Sequence, residues 1–142
     1  MSVNNKEPMF PVFVYGSLKK GFGNHRVMDY VGAVFQHEAK TLLPKYTMFS
    51  LGGFPALDEA RHDEIPAYVL GELYLVSKAG LETLDRFENG YLRKSLPLQT
   101  PDNPTKAKPA MAYFLRGNSN RRIKPTDGVV VWEEGMSNEK LY

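Results

Sequence analysis

A glutamate at position 88 is the residue of this sequence best placed to move protons. The run from Lys78 to Asn89 carries Leu81, Leu84 and Phe87 at helical spacing. At about 100° per residue these fall on one side, about 120° wide. Glu88 follows Leu81 by two turns and Leu84 by one, so it points within about 20° of Leu81, on the apolar side. Glu82, Asp85 and Arg86 point elsewhere, as solvated charges do. A carboxylate on an apolar stripe is costly unless it is paired, protonated or facing a cavity. Desolvation raises its pKa from about 4.3 toward the range useful for general acid and base work. Two structural alternatives stand beside that reading: Glu88 frays outward at the last turn, or it pairs with Arg93.

The turn Tyr15-Gly16-Ser17-Leu18 is the second feature. Gly16 admits backbone conformations closed to other residues and lets a ligand approach the main chain. Successive N–H groups in such a turn can form a concavity for an anion such as a carboxylate. The alternative is an ordinary strand-ending turn. No Gly-Lys-Ser/Thr follows, so this is not a P-loop, and Ser17 does not sit in a Gly-x-Ser-x-Gly elbow. The turn is therefore read as acting through its backbone and not through a serine nucleophile.

Other polar residues carry less. His25, His37 and His62 lack metal-ligand spacing, and no metal site is expected. Asp58, Glu59, His62, Asp63 and Glu64 could hold a cation but read better as a solvated loop. Lys19, Lys20 and Arg26 flank the turn and could attract an anion. Arg121, Arg122 and Lys124 read as surface, and two scattered basic patches without interleaved aromatics make no nucleic-acid site.

The elements that must position Glu88 and the turn are mostly strands. Phe10 to Tyr15 is a β-rich run stopped by Gly16. Asn24 is a plausible N-cap for a short helix through about Tyr30, closed by Gly32. Ala39 to Leu51 is strand-like but broken at Pro44, and Tyr68 to Val76 is the clearest second strand. Ser77 caps the helix that bears Glu88, and Gly90 stops it. Tyr91 to Leu98 alternates like a half-exposed strand. Pro97, Pro101, Pro104 and Pro109 bound a polar hairpin-type loop. Ala110 to Leu115 and Val129 to Trp132 are further strands, and the polar tail from about 133 is expected to be mobile. The fold class is α+β: a small mixed β-barrel with flanking helices.

The 142 residues suit one domain, and 24% charged residues argue against a disordered chain. A net charge of +2 announces no nucleic-acid partner, and the absence of cysteine excludes disulfides and thiolate chemistry. The apolar run Met9 to Tyr15 is far short of the roughly 20 residues that span a bilayer, and it lacks a basic lead-in. A soluble, cytoplasmic protein without membrane or nucleic-acid partners is the expectation. Nothing in the sequence sets an oligomeric state.

Two segments together carry a family resemblance. Val12 to Gly21, followed by Asn24-His25-Arg26-Val27, resembles the opening of the γ-glutamylcyclotransferase-like (AIG2-like) proteins, above all their γ-glutamylamine cyclotransferase branch. Leu84-Asp85-Arg86-Phe87-Glu88, then Tyr91 and Arg93, resembles the family's catalytic helix and the strand after it. Gly71-Glu72-Leu73-Tyr74 resembles its central strand, and Phe49 to Ala56 a recurrent loop of its bacterial members. Gln99 to Lys108 has no counterpart.

The resemblance implies a small barrel with flanking helices. It makes Glu88 the catalytic acid/base, and it assigns Tyr15, Gly16, Ser17, Leu18 and Tyr91 to substrate binding. It implies a small-molecule γ-glutamyl substrate whose own α-amine attacks the γ-carbonyl, releasing 5-oxoproline and an amine. Such intramolecular attacks gain effective molarities on the order of 10⁵–10⁸ M, so neither metal nor nucleotide cofactor is needed. The alternative is a non-catalytic AIG2-like small-molecule binding module using the same pocket.

Overall fold

A computed structural model describes residues 7–133. The elements in chain order are β1 (Met9–Val14), α1 (Arg26–Tyr30), β2 (Val34–Lys40), β3 (Tyr46–Ser50), β4 (Pro55–Glu59), β5 (Tyr68–Ser77), α2 (Lys78–Phe87), β6 (Leu92–Thr100), β7 (Asn103–Phe114) and β8 (Val129–Val130). The tail expected to be mobile lies, beyond Glu133, outside the described residues.

Five strands form a path in the order β2-β5-β1-β7-β6, with β8 added alongside β5. Strand β1 is central. It runs antiparallel to β5, with Val12 opposite Tyr74 and Val14 opposite Glu72, and parallel to β7, with Val12 opposite Met111. The two ends of the path, β2 and β6, approach each other just past β2, where Thr41 bridges Leu98 and the Leu42 N–H donates to the Pro97 carbonyl at 2.9 Å. The ladder does not run unbroken around this seam, so the barrel is incompletely closed. The hairpin β3-β4 forms a separate two-stranded sheet joined to the rest by the Tyr46–Ala67 bridge.

The β1 sequence explains why both faces of this strand are covered. Phe13 and Tyr15 point to the barrel interior, where they pack with Met48, Leu57, Leu73 and Trp132. Val12 and Val14 point the other way, into a second cluster with Met28 of α1 and Leu81 and Leu84 of α2. A strand apolar at every position is buried on both sides, so the run carries no polar alternation. Its C-terminal end is thereby fixed between barrel and helices.

Helix α2 begins as expected: the Ser77 hydroxyl accepts from the Gly80 N–H at 3.1 Å. It ends at Phe87, two residues earlier than the apolar period suggests, and Gly90 at φ +95° turns the chain toward β6. Leu81 and Leu84 are buried, but Phe87 is 43% exposed. Three further expectations are corrected. Asn24 does not cap α1: His25 occupies the cap without a side-chain bond, and the Asn24 amide donates to the Ser17 hydroxyl instead. Pro97 to Pro109 is not a loop, because β6 and β7 continue through it to a tight turn at Pro101 and Asp102. Pro97 and Pro109 stand opposite each other, and at non-hydrogen-bonded positions neither is asked to donate. The stretch Phe49 to Ala56, matched as a loop, contributes the end of β3 and the start of β4.

Candidate active site

A cavity of about 200 Å³ opens where the end of β1, the end of α2 and the β3-β4 turn meet. That is below the roughly 300–1,000 Å³ of pockets for drug-sized ligands and suits an amino-acid-sized head. Every site residue expected from the sequence lines it: Tyr15, Gly16, Ser17, Leu18, Glu88 and Tyr91.

Glu88 caps the C-terminus of α2. Its N–H donates to the Leu84 carbonyl at 2.8 Å, and its carbonyl accepts from the Tyr91 N–H at 3.0 Å. The backbone is therefore held on both sides, so the residue does not fray. Nor does it pair with Arg93, which donates both Nε and Nη2 to Asp85 at 2.9 and 3.1 Å. The Glu88 carboxyl has no hydrogen-bond or ion-pair partner among the described residues, and burial pushes its pKa up to about 7. It is a carboxyl poised to change protonation near neutral pH.

The turn after β1 is held through its carbonyls. Gly16 O accepts from the Lys19 N–H, Ser17 O from the Asn24 N–H and Leu18 O from the ring of His25, at 3.0, 3.0 and 2.9 Å. The N–H groups of Gly16, Ser17 and Leu18 donate to no chain atom among the described residues. These three residues line the cavity, and successive free N–H groups in a turn suit an anion. The reason for glycine at 16 differs from the expected one. Its φ is not positive, but a Cβ there would lie 2.6 Å from the Pro55 ring. The Ser17 hydroxyl is engaged by Asn24 at 2.9 Å.

Three tyrosines wall the cavity, and each hydroxyl is committed. Tyr15 donates to the Tyr113 carbonyl at 2.6 Å, Tyr91 to the Pro55 carbonyl at 2.8 Å and Tyr113 to the Asp85 carboxylate at 2.7 Å. Burial, reinforced by neighbouring negative charge, raises all three pKa values, so the tyrosines stay neutral. Tyr113, Pro55, Phe54, Phe87 and Asn24 also line the cavity and were not anticipated. Tyr113 is 98 positions from Tyr15, and no spacing rule links two strands that pair only in the folded sheet.

The basic residues near the turn do not enter the cavity. Lys19 is buried, donates to the Trp132 carbonyl at 2.8 Å and lies over the Phe22 ring, and its burial lowers its pKa. Lys20 lies over Phe35, and Arg26 is exposed on α1. No lysine, arginine or histidine lines the cavity. The acidic segment near residue 60 is neither a cation site nor a wholly solvated loop: Asp58 and the buried Glu64 both pair with Arg116. Burial alone would raise the Glu64 pKa, but the Arg61 N–H and Arg116 outweigh it and hold the carboxyl below its usual range. Among the described residues no group of three His, Cys, Asp or Glu side chains could hold a metal ion. No helix there is long and apolar enough to cross a membrane.

Comparison with known proteins finds similar sequences and similar folds. A Vibrio cholerae protein provisionally named a gamma-glutamylcyclotransferase is 37% identical over 78 residues, which are 55% of this chain and 61% of that protein. YkqA of Bacillus subtilis, provisionally named likewise, is 29% identical over 73% of this chain and 34% of its own length. The chain thus spans between a third and two thirds of these relatives. The YkqA crystal structure superposes on 82% of the chain with a TM-score of 0.64 at 26% identity, covering 38% of YkqA. An AIG2-like protein from Mus musculus superposes on 75% of the chain and 77% of its own, with a TM-score of 0.62 at 28% identity. The model of the family described as "Gamma-glutamyl cyclotransferase, AIG2-like" matches residues 12–133, from β1 to the end of the described chain. The chain belongs to that family.

Proposed function

We propose that the protein is a γ-glutamyl cyclotransferase with Glu88 as its acid/base. The observation that carries this reading is an unpaired carboxyl, pushed up to about 7 by burial, in the same cavity as a turn with free N–H groups. The Gly16 to Leu18 N–H groups receive the α-carboxylate of the γ-glutamyl head. Glu88 in its ionised form takes a proton from the α-ammonium, whose pKa in an ordinary α-amino group is about 8. The two values are close, so the transfer costs little. The freed amine nitrogen attacks the γ-carbonyl carbon and closes the five-membered ring. The bond from that carbon to the amide nitrogen breaks, and Glu88 returns its proton to the departing amine. The regenerated carboxylate then takes the second proton from the ring nitrogen and passes it to the released amine, which leaves as an ammonium. The products are 5-oxoproline and a free amine, and the carboxylate is regenerated. Tyr15 and Tyr91, kept neutral, shape the wall beside it.

The preferred substrates are γ-glutamylamines, such as γ-glutamyl-ε-lysine. With no basic side chain in the lining, nothing there offers a counter-charge to a dipeptide's second carboxylate. The test is incubation with γ-glutamyl-ε-lysine, γ-glutamyl-alanine and glutathione, following 5-oxoproline by mass spectrometry. Release from the first with the highest kcat/KM is the expected result. Release from none of them would leave the binding-module alternative.

A further inference from the structure

Two aromatic rings at the cavity have no part in the chemistry just described. Phe54 and Phe87 both line it, yet they are 45% and 43% exposed, whereas Val14, Tyr15 and Tyr113 deeper in the wall are buried. Lining residues that remain open to solvent mark the mouth. A phenylalanine left open to this extent loses much of the burial energy of its ring, so an occupant that covers it gains that energy.

Both rings are held by defined backbone. Phe54 closes the β3-β4 turn: its carbonyl accepts from the Leu51 N–H at 2.9 Å, and the Ser50 hydroxyl accepts from the Gly52 N–H at 3.2 Å. Gly52, at φ +105°, permits this tight turn. Phe87 is the last residue of α2 and precedes Glu88 in the chain. Its helical phase matches that of Leu81 and Leu84, which are 5% and 0% exposed, but the helix ends there and the ring remains at the cavity. Phe87 and Glu88 line the same cavity, so the ring borders the space in which Glu88 exchanges protons.

We infer that Phe54 and Phe87 form an apolar clamp on the leaving amine, selecting primary amines with an unbranched alkyl or arylalkyl stem. This rests on the cyclotransferase reading of the site. With the γ-glutamyl head on the turn, the part of the substrate beyond the scissile nitrogen continues to the mouth. A methylene stem there is removed from water by two ring faces. An ammonium at the far end of the stem is compatible with those faces, which carry the negative lobe of the ring quadrupole. A carboxylate beside the scissile nitrogen meets the same faces with no cation in the lining, and is disfavoured.

The experiment is a homologous series of γ-glutamyl methylamide, propylamide, hexylamide and benzylamide, with γ-glutamyl-glycine as the anionic comparison. The parent protein is compared with Phe54→Ala, Phe87→Ala and the milder Phe87→Leu, each checked for folding by circular dichroism. In the parent, kcat/KM rises about two- to fourfold per added methylene up to the reach of the rings. In the alanine variants the slope flattens, with the loss smallest for methylamide and at least tenfold for hexylamide and benzylamide. A slope that is flat in the parent, or equally steep in the variants, overturns the clamp. Calorimetric Kd values for the same series on Glu88→Gln give a second reading that needs no turnover. If the parent cyclises nothing, the cyclotransferase reading fails, and the clamp then stands or falls on whether Kd tightens with chain length and loses that trend in Phe54→Ala.

Discussion

Arg93 gives its guanidinium to Asp85 and not to Glu88, with Nε and Nη2 at 2.9 and 3.1 Å from the two carboxylate oxygens. Asp85 lies one turn before Glu88 on the same helix, and it also accepts the Tyr113 hydroxyl. The nearby positive charge is thus consumed by a neighbour that is partly solvated, while the carboxyl in the cavity is left to titrate. A bidentate pair of this kind is directional, so small movements do not transfer the cation to the other carboxylate.

Removing Asp85 is expected to redirect that charge. In Asp85→Ala the unpaired Arg93 draws toward Glu88 and stabilises its ionised form, so the acid limb of the kcat/KM profile moves below about 7. The double variant Asp85→Ala/Arg93→Met restores the limb. A limb that stays at its parent position in Asp85→Ala would show that Arg93 cannot reach Glu88.

Glu88→Gln keeps the shape of the side chain but cannot take a proton. Turnover of a γ-glutamyl amide should fall by about 10²–10⁴ or more. Parent-like kcat in the purified, folded variant would remove Glu88 from the mechanism.

The same group links activity and stability to pH in opposite senses. As a base, Glu88 must be ionised, so kcat/KM should drop about tenfold per pH unit below about 7. A carboxyl whose folded pKa exceeds its unfolded value holds its proton more tightly in the folded state. Folding therefore gains from it below about 4.5, and the gain is lost as pH rises through about 7. The shift corresponds to about 3 kcal/mol at most. Glu88→Gln should accordingly raise the Tm relative to the parent at pH 8 and leave it nearly unchanged at pH 4. Identical Tm differences at both pH values would mean that the carboxyl is solvated.

At the turn, Gly16→Ala brings a Cβ to 2.6 Å from the Pro55 ring. Overpacking of this kind costs about 1–3 kcal/mol. Part of that cost should vanish when Pro55→Ala is added, and denaturant unfolding of the two singles and the double measures the coupling. Substrate affinity should fall with Gly16→Ala, while Ser17→Ala, which loses only the bond from Asn24, should be mild. A folded but inactive Ser17→Ala with an intact turn would reopen the nucleophile reading.

Most of what the sequence determined lies within single segments. The β1 run, the Ser77 cap and the phase that puts Glu88 with Leu81 and Leu84 are properties of neighbours in the chain, and backbone geometry turns them directly into position. The length of the proline-rich hairpin was not legible, because proline signals a loop unless the strand lies where no N–H is required, and that depends on its partner. Tertiary structure alone decided which charges are spent. Lys19 turned inward to Trp132, Arg116 took Asp58 and Glu64, and Arg93 took Asp85. Each choice depends on a partner brought across the fold or onto the adjoining strand. It also decided why residue 16 is glycine, since the Pro55 ring that forbids a side chain belongs to another strand. Local spacing could mark Glu88 as a carboxyl on an apolar face. Only the packing of α2, β4 and β7 around it could leave that carboxyl half-buried, unpaired and ready to exchange a proton.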